Sequence, residues 1–138
     1  MESYFILYVA DQVRSTKFYT DTLEMAPRLN VPGMTEFALP GGGVLGLMPE
    51  RGIIALLGAA IPDPAQANGI PRCELYLLVD AAGLWHDRAL AAGAVELSPL
   101  SARDWGHTAS YARDPDGHVL AFAEVSAPDE RASELAAP

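Results

Sequence analysis

Residues 9–25 read VADQVRSTKFYTDTLEM: the end of an apolar run, an aspartate, then a helical spacing. Val13, Phe18, Leu23 and Thr22 fall on one side of a helix over residues 12–25, with Arg14, Lys17, Asp21 and Glu24 on the other. Asp11 stands where a side-chain oxygen can take the first unpaired helix amides, so it is the expected N-cap. The short apolar run before it, Tyr4 to Val9, reads as a strand. The same order returns about seventy residues later. Glu74 to Val79 is a second apolar strand ending in Asp80, and GLWHDRALAA (83–92) is a helix carrying Leu84, Arg88, Leu90 and Ala91, stopped by Gly93. Identity between the two stretches is weak, so what repeats is the βα organisation.

Short strands follow each helix. In the first half they are Met34 to Leu39 and Val44 to Met48, with Pro40-Gly41-Gly42-Gly43 as the turn between them. Those glycines lack the lysine and the following helix of a phosphate loop and are expected to form a hairpin turn. In the second half the strands are Ala94 to Leu97, His107 to Ala112 and His118 to Val125. Asp114-Pro115-Asp116-Gly117 is the turn before the last one, because Pro115 presets φ, the aspartates bond the local backbone and Gly117 tolerates positive φ. Ile53 to Ala60 is a short helix or an apolar loop, and IPDPAQANGIPR (61–72), with three prolines and no period, is a linker. The expected organisation is one domain over residues 1–126: a first module at about 1–60, the linker, a second module over 73–126, and a tail from 127 to 138.

Alternation along the strands sorts their faces. Phe5, Leu7 and Val9 oppose Tyr4, Ile6 and Tyr8; Leu75, Leu77 and Val79 oppose Glu74, Tyr76 and Leu78. The aliphatic sides suit packing under a helix. The more aromatic side, which carries one carboxylate, is the expected wall of a ligand cavity. Trp105 in the polar loop SARDWGH can stack on a planar or cationic ligand or cover the sheet as a loop anchor. Glu74 would be costly to bury alone, so a cationic ligand, an arginine such as Arg72 or Arg103, or solvent must satisfy it. Trp85 and Phe18 are expected in the core, and His86 and Asp87 at the solvated surface.

Composition narrows the function classes. Half of the 138 residues are hydrophobic and a fifth charged, as in an ordinary globular domain. Nine basic against eighteen acidic residues give a formal charge of −9, which repels nucleic acid and favours cationic small molecules. Cys73 is the single cysteine, so neither an intrachain disulfide nor a thiolate cluster can form. The N-terminal apolar run is only about seven residues with no basic segment before it, and no stretch reaches membrane-spanning length, so a cytoplasmic location is expected.

Taken together, VADQVRSTKFYTDTLEM with Asp11, Ser15, Phe18 and Tyr19, then VDAAGLWHDRALAAGA (79–94), then DWG with RDPDGHVLAFAE (104–124), resemble the glyoxalase/bleomycin resistance/extradiol dioxygenase group, the vicinal oxygen chelate superfamily. The resemblance covers nearly the whole chain. It implies an α+β fold of two βαβββ modules curled into a U-shaped mixed sheet with helices on its outer face, usually as a homodimer. It also implies four metal-ligand positions, which by spacing fall at Tyr4, near Leu47, at Glu74 and at Ala121. Of these only Glu74 has a ligating side chain, and a divalent ion needs three or four. His107 and His118 with Glu74 would make an unorthodox site, although no spacing brings them together.

The chain therefore resembles most the metal-free, bleomycin-resistance-like branch. The expected function is metal-independent sequestration of a small molecule, such as a cationic or aromatic antibiotic or other toxic compound, without cofactor, nucleic-acid or membrane partner. The expected ligand-binding residues are Tyr4, Ile6, Tyr8, Leu47, Glu74, Tyr76, Trp105 and Ala121. The alternative is a lyase, isomerase or dioxygenase-like enzyme using Glu74 as a base with a tyrosine, or an unorthodox metal site.

Overall fold

In the computed structural model, which describes residues 1–127, each half of the chain forms a βαβββ unit. The first contains β1 (Ser3–Val9), α1 (Gln12–Leu23), β2 (Leu29–Val31), β3 (Met34–Ala38) and β4 (Gly43–Pro49). A helix, α2 (Glu50–Leu57), and two 3-10 turns at Gly58–Ala60 and Pro64–Ala67 lead to the second: β5 (Glu74–Leu78), α3 (Ala82–Ala91), β6 (Val95–Ala102), β7 (His107–Arg113) and β8 (Val119–Val125). The sheets are ordered β1-β4-β3-β2 and β5-β8-β7-β6. In each, the first strand runs parallel to the last and the other neighbours are antiparallel. The α+β fold of two modules is thus as the residues suggest. Of the 127–138 tail, all beyond Ala127 lies outside the described residues.

Local chemistry sets the boundaries. The Asp11 carboxylate accepts from the Arg14 amide at 3.0 Å, capping α1 as expected. The helix stops two residues early because Glu24 takes a left-handed conformation, φ 50°. For α3 the cap comes from another element: Ala81 supplies no side-chain cap, and Glu124 of β8 accepts from the Ala82 amide at 3.0 Å. No described helix is long and apolar enough to cross a membrane.

Both helices cover the same relative face of their sheets. Leu7, Val9, Phe37, Leu45 and Leu47 of the first sheet are buried with Phe18, Tyr19 and Leu23 of α1. Leu120 and Phe122 of β8 and Ala82 and Ala89 of α3 join that cluster, so one core serves both modules. Four positions differ from the sequence expectation, the first being Phe5, which is 63% exposed and not packed under a helix with Leu7 and Val9. Val13 is 81% exposed and Leu84 62%, since Ser15 and Thr16 on α1 and the small alanines on α3 fill the contact faces instead. His86 is buried, its Nε2 donating to Glu96 at 2.8 Å, and is not a solvated residue.

The Asp114–Gly117 turn does more than reverse the chain. Asp114 accepts from the Tyr19 hydroxyl of α1 at 2.5 Å, and Asp116 accepts from the Ala10 amide at 2.8 Å and the Ser15 hydroxyl at 3.0 Å. His118 donates Nε2–H to the Tyr8 carbonyl at 3.0 Å, which leaves Nδ1 to accept from the Cys73 thiol, 3.5 Å away. The turn of the second module is thereby bonded to β1 and α1 of the first.

Candidate functional site

The face of each sheet turned away from the helices is the uncovered one. Register places Tyr4, Ile6 and Tyr8 beside Val44, Gly46 and Met48 on the first sheet. On the second it aligns Tyr76, Ala121 and Tyr111 across three strands. Leu47 is not on this face. It pairs with Leu7 and Thr35 and is fully buried in the core, so the expected position near Leu47 belongs to Gly46 or Met48. A one-residue offset is enough to exchange faces, because side chains alternate along a strand.

Each sheet carries its own polar group on this face. On the first, Arg28 donates to Tyr4 Oη at 2.8 Å, to Glu2 at 2.9 Å and to Glu36 at 3.0 Å, and its guanidinium lies 5.3 Å from the Tyr4 ring centre. Hydrogen bonds to Glu2 and then Glu36 hold that guanidinium protonated beyond its ordinary value. On the second, Trp105 donates its indole N–H to Tyr76 Oη at 3.0 Å. The same hydroxyl lies 2.6 Å from His107 Nδ1, so the indole, the phenol and the imidazole form one linked chain. Arg103 lies 5.3 Å from the Tyr111 ring centre, anchored to the Ala109 carbonyl at 2.8 Å and Ser98 at 2.8 Å. Burial, and after it the Glu74 and Tyr76 charges, push the Tyr111 hydroxyl above its usual range.

The expected site residues divide accordingly. Tyr4, Ile6, Tyr8, Glu74, Tyr76 and Trp105 are on or beside the uncovered face, with Tyr4 47%, Ile6 39% and Trp105 51% exposed. Ala121 is fully buried between its register neighbours Tyr76 and Tyr111. Glu74 is exposed and pairs with neither Arg72 nor Arg103 among the described residues, so solvent satisfies it. Arg28, Glu36 and Tyr111 were missed, and Arg103, expected as a partner for Glu74, lies against the Tyr111 ring instead. Tyr111 was legible from alternation along β7, but Arg28 reaches Tyr4 across twenty-four positions and leaves no local signal.

The residues do not fit a metal ion. Tyr4, Gly46 or Met48, and Ala121 are poor ligands or none beside Glu74, and no group of three or more His, Cys, Asp or Glu able to hold an ion occurs among the described residues. His107 pairs with Val125 at one end of β8, while His118 precedes the other end, about 20 Å away at strand rise. His118 is also 4% exposed, with both ring nitrogens engaged at the seam between modules.

With this geometry, comparison with known proteins identifies the chain. The model of the glyoxalase/bleomycin resistance protein/dioxygenase superfamily matches residues 3–122, and the chain belongs to that superfamily. Among solved structures it is similar to a glyoxalase-related enzyme from Fulvimarina pelagi, 25% identical with a TM-score of 0.75, over 90% of this chain and 87% of that one. It also resembles a glyoxalase/bleomycin resistance protein/dioxygenase from Nocardioides, 20% identical with a TM-score of 0.74, over 94% and 85%. A family enzyme from Burkholderia phytofirmans is 18% identical with a TM-score of 0.71, over 90% and 98%. No curated protein matches the chain.

Proposed function

We propose that the uncovered face is a metal-independent binding surface for a small, planar or cationic aromatic molecule, and that the protein acts by sequestering it. The observation that carries this reading is the content of the four metal-ligand positions. Only Glu74 has a ligating side chain, and around Ala121 the space is taken by Tyr76 and Tyr111. The half-exposed Trp105 indole, steadied by Tyr76, offers a stacking surface, and the exposed Glu74 carboxylate favours a cation. The half-exposed Tyr4 and Ile6 are apolar surface that a second copy of the chain would cover, so the working unit in this reading is a homodimer with the ligand between its sheets.

Titration with cationic aromatic antibiotics, bleomycin among them, followed by tryptophan fluorescence, tests the proposal. Saturable binding is expected, weakened about tenfold in Trp105→Ala, as the loss of one cation–π partner implies. Glu74→Gln weakens cationic ligands severalfold and leaves neutral ones unchanged. Near-stoichiometric zinc, nickel or manganese that survives dialysis and is lost in Glu74→Gln would overturn metal independence. Turnover of a ligand that collapses in Glu74→Gln while its affinity holds would replace sequestration with general-base catalysis.

A further inference from the structure

Away from the uncovered face, a half-open cleft of about 550 Å³ lies where the 61–72 connector meets the Asp114–Gly117 turn. It collects Arg14, Arg72 and Arg113, three of the nine basic residues in a chain of charge −9. The volume is that of a small-metabolite pocket.

The aspartates on its wall are committed inward. Asp114 accepts from Tyr19 and from the Asp116 and His118 amides, and Asp116 from Ala10 and Ser15. Arg14 reaches Asp116 only at 3.5 Å. The other two arginines have no carboxylate partner among the described residues. Arg72 gives Nε–H to the Ile70 carbonyl of its own loop and keeps both terminal nitrogens free, and Arg113 makes no side-chain hydrogen bond or ion pair among the described residues. Glu50, half-buried, is the remaining carboxylate of the lining.

The connector wall packs directly on the turn. Gly117, at φ +94°, lies so close to Gly69 that a Cβ there would stand 2.4 Å from the Gly69 carbonyl oxygen. A cleft lined by two guanidinium groups without carboxylate partners matches the chemistry of a carboxylate or phosphate. We propose that this cleft binds a small oxyanion through Arg72 and Arg113, with Arg14 at its edge. The site shares no residue with the uncovered face, so it stands or falls independently of the sequestration reading.

The test is amide NMR titration of the full chain with inorganic phosphate and, separately, with succinate, at constant ionic strength. Saturable shifts centred on Asn68, Gly69 and Gly117 are expected with at least one of the two. Phosphate alone would mark a phosphorylated ligand, succinate alone a carboxylate, and both an oxyanion site indifferent to the source. Arg72→Gln and Arg113→Gln should each weaken binding tenfold or more. Lys17→Gln removes the same charge from α1 and should leave affinity unchanged. Scattered, non-saturating shifts, or equal weakening by Lys17→Gln, would reduce the effect to bulk charge and overturn the proposal.

Discussion

Tyr19 and Asp114 are a buried phenol and a buried carboxylate that share one hydrogen bond, and burial raises the pKa of both. Burial, reinforced by the Asp114 charge, raises the Tyr19 hydroxyl well above its ordinary range. The unfolded chain releases that proton near pH 10 while the folded chain keeps it, so stability falls as pH rises past about 10. Asp114 is pushed up chiefly by burial, with the Tyr19 bond opposing. Its folded form therefore holds a proton longer than the unfolded chain, and its contribution declines as pH climbs from the unfolded carboxylate value, about 4, to the raised one. Urea denaturation across pH 8–11 should show a steep alkaline loss in the wild type and a flatter one in Tyr19→Phe. That variant should also lose about 1–3 kcal/mol at pH 7, because a buried carboxylate oxygen is left without its donor.

At the level of elements, glycines in one backbone region answer to different constraints. Gly33 and Gly117 have φ of +97° and +94°, but a Cβ at Gly33 meets open space while one at Gly117 meets the Gly69 backbone. Gly33→Ala should cost about 1–2 kcal/mol from conformation alone, and Gly117→Ala clearly more, measured by chemical denaturation. Glu124→Ala, which removes the borrowed cap of α3, should cost about 1 kcal/mol. This borrowed cap illustrates what the sequence withholds. Asp11 was readable as a cap because the acceptor sits three residues from its donor, whereas Glu124 acts over forty-two positions. Strand β2 escaped notice because three exposed residues are too short a run to establish a period, and Leu47 was placed on the wrong face by a single step of register. The paired βα order and the hairpin glycines were legible because each depends on residue type at short range.

For the whole molecule, the shared core and the bonds from the Asp114–Gly117 turn to β1 and α1 make the halves one thermodynamic body. Thermal unfolding should follow a single transition by both far-UV and near-UV dichroism. Asp116→Ala should lower the midpoint by several degrees without splitting it, since the apolar cluster still joins the modules. Two resolved transitions in the wild type would contradict the common core. The connector is topologically the lone covalent bridge between the modules, yet none of the bonds from the turn to β1 and α1 depends on it, and Arg72 within it is exposed. Chain continuity and structural integrity are therefore separate properties here. A tryptic nick after Arg72 would yield two polypeptides that migrate as one native particle, and a gene divided at that point would yield fragments able to complement one another.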